Sequence, residues 1–95
     1  MSNRNFETVM VFSVASGEEA KTTLVEKFRA LIEANGVLDS VDEWGQRRLA
    51  YPINDETEGW YALYNYECGP DFPSELDRQA KITDGVLRSL IIKKD

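Results

Sequence analysis

Asn54-Asp55-Glu56-Thr57-Glu58-Gly59 and the nine residues that follow, Trp60-Tyr61-Ala62-Leu63-Tyr64-Asn65-Tyr66-Glu67-Cys68, are the stretch from which the fold is read. The first six residues are polar and turn-forming. In the next nine, Trp60, Ala62, Tyr64, Tyr66 and Cys68 alternate with Tyr61, Leu63, Asn65 and Glu67, the period of two that a strand imposes on its side chains. On the other side of the turn runs a second extended stretch, Arg47 to Ile53, which continues Val37 to Trp44 across Gly45. This pattern predicts a hairpin: one long strand bent or bulged near Gly45, a loop over 54–59, and a return strand over 60–68.

Outward from the hairpin, each side carries a helix. Upstream, Ser16 stands three residues before Glu19, and Ala20, Leu24, Phe28, Leu31 and Ile32 recur at helical spacing. Glu18, Lys21, Glu26, Lys27, Arg29 and Glu33 then form the polar face, and Asn35-Gly36 ends the helix with glycine in the left-handed conformation. Downstream, Gly69-Pro70 breaks the strand, Pro73 suits a first helical turn, and Phe72, Leu76 and Ala80 share one face before Asp84-Gly85. Beyond the helices lie a central strand, Phe6 to Val14, and a last strand, Val86 to Ile92. The order is βαββαβ. Two right-handed crossovers and a hairpin predict an α+β, ferredoxin-like sandwich over residues 1–95, a four-stranded antiparallel sheet with both helices on one face. The other face is left uncovered, so it must be polar or a binding surface.

Composition narrows the chemistry. Ninety-five residues, 42% of them hydrophobic, suffice for one core, and the opening Met1 to Asn5 leads into an apolar run far too short to cross a membrane. A soluble, cytoplasmic protein is expected. There is no histidine, and Cys68 is the only cysteine, which removes the commonest general base, zinc sites and internal disulfides. Asp39, Asp42 and Glu43, and Asp55, Glu56 and Glu58, lack the spacing of a calcium loop and read as solvated acids. Seventeen acidic against eleven basic residues give a net charge of −6, which argues globally against nucleic acid.

The distribution of charge argues the other way. Trp44 to Ile53 contains Arg47 and Arg48 among aromatics and no acid, and Val86 to Lys94 contains Arg88, Lys93 and Lys94 and no acid. With a Debye length of roughly 8 Å at physiological salt, a phosphate at such a patch responds to the nearby guanidinium groups rather than to distant carboxylates. Guanidinium forks grip phosphate while planar rings stack on unpaired bases. The competing reading pairs Arg47 and Arg48 with Asp42 or Glu43 along a solvated strand edge and assigns the aromatics to the core.

Trp44-Gly45-Gln46-Arg47-Arg48-Leu49-Ala50-Tyr51-Pro52-Ile53 closely resembles the W-G-x-R-x-L-A-Y-P-I signature of the bacterial small-subunit ribosomal protein six family. Phe6-Glu7-Thr8-Val9 is similar to that family's opening, and Ile82 to Ser89 to its last helix-to-strand passage. The resemblance implies a structural role without catalysis or cofactor: binding the central domain of small-subunit ribosomal RNA together with ribosomal protein eighteen, as a monomer when free. It implies RNA contacts through Arg47, Arg48 and Arg88, with Arg4 and Lys93 as outlying candidates, while Phe6, Trp60 and Leu90 on the open sheet face are expected to meet the partner protein or a sugar-phosphate surface. Gln46 departs from the basic residue many relatives carry. The acidic surplus fits attraction to a cationic partner that completes the RNA site.

Ferredoxin-like folds also serve as acyl phosphatases and metal chaperones, but Ala15-Ser16-Gly17-Glu18-Glu19 has no arginine to hold a phosphate, and a chaperone would want paired cysteines. The serious alternative is a small-ligand sensor or homodimerising interaction module, which would dimerise through its sheet.

Overall fold

The first strand, β1 (Arg4–Phe12), is flanked on both sides by antiparallel neighbours, β3 (Glu56–Cys68) and β4 (Val86–Lys93). The computed structural model describes residues 4–94, and Met1 to Asn3 and Asp95 lie outside the described residues. A helix, α1 (Glu18–Asn35), leads to β2 (Gly36–Ile53), which pairs antiparallel with the far side of β3, and α2 (Phe72–Ile82) connects β3 to β4. The strand order β2-β3-β1-β4 completes the expected ferredoxin-like sheet, with β1 central.

One core holds both helices against one face. Phe6, Thr8, Met10 and Phe12 of β1 and Ala62, Tyr64, Tyr66 and Cys68 of β3 are buried with Val25, Phe28 and Ile32 of α1 and Phe72, Leu76 and Ala80 of α2. The expected stripe of α2 is the observed one. In α1 the stripe is rotated: Lys21, Val25, Phe28 and Ile32 are buried, whereas Leu24 and Leu31 are only partly covered. Lys21, expected on the polar face, is 4% exposed because its ammonium lies 3.5 Å from the centroid of the Trp60 ring and 2.9 Å from Glu18 Oε2. A long amphipathic stem lets a lysine line a core edge in this way.

Polar groups inside the core are matched. Tyr64 donates its hydroxyl to the Val25 carbonyl at 3.0 Å, and the Tyr66 hydroxyl bonds the Thr8 hydroxyl at 2.7 Å. Phe12 and Phe28 add a ring contact between sheet and helix, with centroids 6.0 Å apart.

Three local expectations are corrected. The α1 N-cap is Gly17, at φ 96°, with no side-chain cap from Ser16. Gly36 is extended rather than left-handed, and glycine is needed there because a Cβ would meet the Glu67 carbonyl oxygen. The loop over 54–59 shrinks to two residues: Ile53 pairs with Glu56, and Asn54 and Asp55 take positive φ, 50° and 66°. Asn and Asp tolerate that region, and two consecutive positive φ values match the twist of a tight hairpin. The strand β3 therefore begins at Glu56. Ser13 anchors this end of the hairpin by donating to Glu56 Oε1 at 2.6 Å.

Candidate nucleic-acid interface

Alternation assigns every strand residue to a face. On β1 and β3 the set containing Phe12 and Ala62 faces the helices, so Glu7, Val9 and Val11, and Tyr61, Leu63, Asn65 and Glu67, face the uncovered side. On β4, Arg88 stands opposite Val11, Leu90 opposite Val9 and Ile92 opposite Glu7, which puts all three on the uncovered side. Leu90 is 51% exposed, as an open-face position should be.

Strand β2 reaches the same face by way of an extra residue. Glu43 stands opposite Ala62 on the helix side, and the register then shifts so that Gly45 stands opposite Tyr61, Gln46 opposite Trp60 and Arg47 opposite Gly59. Trp44, next after the helix-side Glu43, lies on the open face, where its ring stacks on Tyr61 with centroids 6.2 Å apart and planes 13° from parallel. Arg47 follows onto that face: its guanidinium carbon is 5.9 Å from the Trp44 ring centroid, and it donates to the Trp44 carbonyl at 3.5 Å. A second irregularity, between Arg48 and Ile53, arches the chain over the sheet and buries Leu49, whose side chain occupies the space above Gly59 together with that of Val11. Pro52 sits in this arch, where no ladder donor is required.

The result is a surface with two ends. At one end Tyr61 is bordered by Arg88, Val11 and the arch, and a shallow depression of about 170 Å³ is lined by Val9, Val11, Tyr61, Arg88 and Leu90. Arg47 and Arg88 stand on the outer strands of this end, roughly 14 Å apart across the sheet by strand spacing. The other end carries Glu7 and Glu67. Two guanidinium groups thus lie beside exposed aromatic and aliphatic surface, while the acids are displaced along the strands.

Among the described residues no carboxylate pairs with Arg47 or Arg88. Among the described residues, the ion pairs Lys21–Glu18, Arg29–Glu26, Arg78–Glu75 and Lys81–Asp77 all lie within helices. Glu43 instead accepts from Trp60 Nε1 at 3.0 Å, and Glu58, opposite Arg48, accepts from Gln46 Nε2 at 2.6 Å. Arg48 is exposed next to Arg47 but points to the other side of the hairpin. Arg4 and Lys93 are exposed at the far end of the sheet, Arg4 opposite Cys68 and Lys93 opposite Phe6, so the structure does not gather them with Arg47 and Arg88.

Two expected open-face positions are corrected. Phe6 is 8% exposed within the core, its ring 6.0 Å from that of Tyr66. Trp60 is half-buried on the helix side, under Lys21. Both belong to the alternating sets that hold the core residues, Phe6 with Thr8, Met10 and Phe12, and Trp60 with Ala62 to Cys68, and that phase was the available signal. The same phase would have identified Tyr61 and Val11 as open-face residues. Burial of Leu49 carried no comparable signal, because it depends on the arch.

Comparison with known proteins bears on the family and the fold. Residues 5–93 match the family model described as ribosomal protein S6. The chain is 45% identical over 93 residues to the small ribosomal subunit protein bS6 of Clostridium novyi, covering 97% of this chain and 98% of that one. It is 48% identical over 93 residues, at the same coverage, to bS6 of Caldanaerobacter subterraneus. The crystal structure of 30S ribosomal protein S6 from Thermotoga maritima superposes with a TM-score of 0.90 at 26% identity, covering 97% of this chain and 88% of that one. A family match over nearly every residue, relatives aligned end to end and the same strand order lead to one conclusion: the chain belongs to the ribosomal protein S6 family.

Proposed function

We propose that this protein is a structural constituent of the small ribosomal subunit that binds the central domain of the ribosomal RNA jointly with ribosomal protein eighteen. As a member of the S6 family it is a ribosomal protein and not an enzyme, cytoplasmic and ribosome-associated. The observation that carries the finer reading is the pair Arg47 and Arg88, free of carboxylate partners among the described residues and set on either side of Tyr61 on the uncovered sheet face. Arg47 and Arg88 meet RNA phosphate, with Arg48 as an auxiliary on the hairpin and Arg4 and Lys93 as remote contacts. Leu90 and the aliphatic surface around it meet the partner protein.

Charge dictates the division of labour. A domain of net charge −6 gains little from polyanionic RNA on its own but is attracted to a cationic partner, and the joined surfaces then present combined positive charge. Affinity for a central-domain RNA fragment should be weak for the purified protein and strong once ribosomal protein eighteen is added. Nanomolar binding by the protein alone at physiological salt would refute the cooperative reading. Sedimentation as a stable dimer that ignores both RNA and partner would favour the interaction-module alternative.

A further inference from the structure

Two consecutive arginines, Arg47 and Arg48, occupy β2, and a strand sends consecutive side chains to opposite faces. Which of them meets the uncovered face is therefore a question of register. Counting from Glu43, which faces the helices opposite Ala62, strict alternation would turn Arg47 toward the helix side and Arg48 to the open side. The extra residue between Glu43 and Gly45 reverses this and turns Arg47 to the open face.

One residue meets both flanks of this bulge, its side chain on one side and its backbone position in the ladder on the other. Trp60 donates Nε1–H to Glu43 Oε1 at 3.0 Å on the near side and stands opposite Gln46 in the ladder on the far side. Its ring is in turn fixed from α1 by the buried Lys21 ammonium, 3.5 Å from the centroid and itself held at 2.9 Å by Glu18. Gln46, through Glu58 at 2.6 Å, continues the tie across the hairpin.

We infer that Trp60, tied to Glu43 and covered by Lys21, pins the bulge of β2 so that Arg47 and not Arg48 is presented on the uncovered face. Trp60, Glu43 and Lys21 are positioning residues: none needs to touch RNA. The inference deepens the RNA-binding reading and rests on it for its functional consequence, while its structural content stands on register alone.

The test measures binding of the full-length chain, with ribosomal protein eighteen, to a central-domain RNA fragment, alongside cross-strand nuclear Overhauser effects between Arg47 and Gly59. Glu43→Ala removes a negative charge near the phosphate site, so an unengaged Glu43 would give tighter binding on substitution. Pinning demands the reverse: affinity falls about tenfold, the 47–59 contact weakens, and Arg48→Ala costs more affinity in the Glu43→Ala background than in the parent. Glu43→Gln keeps an acceptor oxygen and should restore both binding and contact. Trp60→Phe keeps a ring under Lys21 without the N–H, should behave like Glu43→Ala, and takes its place should the alanine variant not fold. Unchanged or tighter binding by Glu43→Ala with the 47–59 contact intact overturns the inference and leaves the RNA-binding reading standing. So does equal weakening by Ala and Gln with that contact intact. Parent-level binding by Arg47→Ala refutes the RNA contact instead, and the 47–59 contact alone then decides the pinning.

Discussion

Arg88 is where the physics of a single side chain is simplest: an exposed guanidinium among Val11, Tyr61 and Leu90 with no carboxylate partner among the described residues. Replacing it with alanine should weaken the RNA complex by ~1–3 kcal/mol, the range of a charge-assisted hydrogen bond, while the denaturant midpoint stays put. Parent-like affinity in a titration would remove Arg88 from the interface. Phe6 sits at the opposite pole, because its ring is enclosed with Tyr66 and Phe72 in the core. Phe6→Ala should cost ~3–5 kcal/mol of stability through the cavity it leaves, read from urea unfolding. The buried tyrosines tie stability to alkaline pH. Burial pushes the Tyr66 hydroxyl up to about 12, partly offset by its hydrogen bond to Thr8, and burial raises Tyr64 as well, with Glu43 adding to the rise. Because the folded state holds these protons more tightly than the unfolded chain, their stabilisation is complete below pH about 10 and is lost as pH climbs toward 12. The urea midpoint should fall across that window. Tyr66→Phe should remove the Tyr66 share of the fall and, by orphaning the buried Thr8 hydroxyl, lower stability at neutral pH by ~1–3 kcal/mol.

Among the elements, α1 and the β2–β3 hairpin respond to different rules. Rotation of the α1 stripe makes Phe28, fully buried against Phe12, the position that matters most, and leaves Leu31 partly covered. Phe28→Ala should therefore destabilise by ~3–5 kcal/mol and Leu31→Ala by clearly less, and equal effects in a pair of denaturation curves would mean the rotation is wrong. The hairpin turn stores local cost in two non-glycine residues at positive φ. Asp55→Gly should relieve part of the ~1–2 kcal/mol penalty of the left-handed region and raise the midpoint, whereas a β-branched residue there should lower it. Helix α2 was legible almost residue by residue, since Pro73, Phe72, Leu76 and Ala80 are local signals at fixed spacing. The α1 cap was not, because the Ser16–Glu19 spacing permits a capping box without requiring one, and Gly17 took the position instead.

Across the whole molecule, charge is sorted by layer. Ion pairs hold helix cations to helix acids, while the sheet cations Arg47, Arg48 and Arg88 remain without carboxylates among the described residues. Binding of the joint complex to RNA should therefore weaken steeply with added salt, and each of Arg47→Ala and Arg88→Ala should make the log–log salt slope shallower by about 1 if its guanidinium neutralises a phosphate. An unchanged slope would show that the arginine neutralises no phosphate. Much of this arrangement follows from residue order alone. The hairpin, the two helices, the outer strands and the concentration of cations in Trp44 to Ile53 and Val86 to Lys94 rest on period, turn chemistry and composition, all of which act over a few residues and survive in one dimension. Only tertiary structure decided the faces of Arg47 and Arg48, the burial of Lys21 and Leu49, and the freedom of Arg47 from Asp42 and Glu43. Those outcomes hang on the bulge and the arch of β2 and on a tryptophan meeting a helix 39 positions away, Trp60 against Lys21, and contacts at that separation exist only once the sheet has closed.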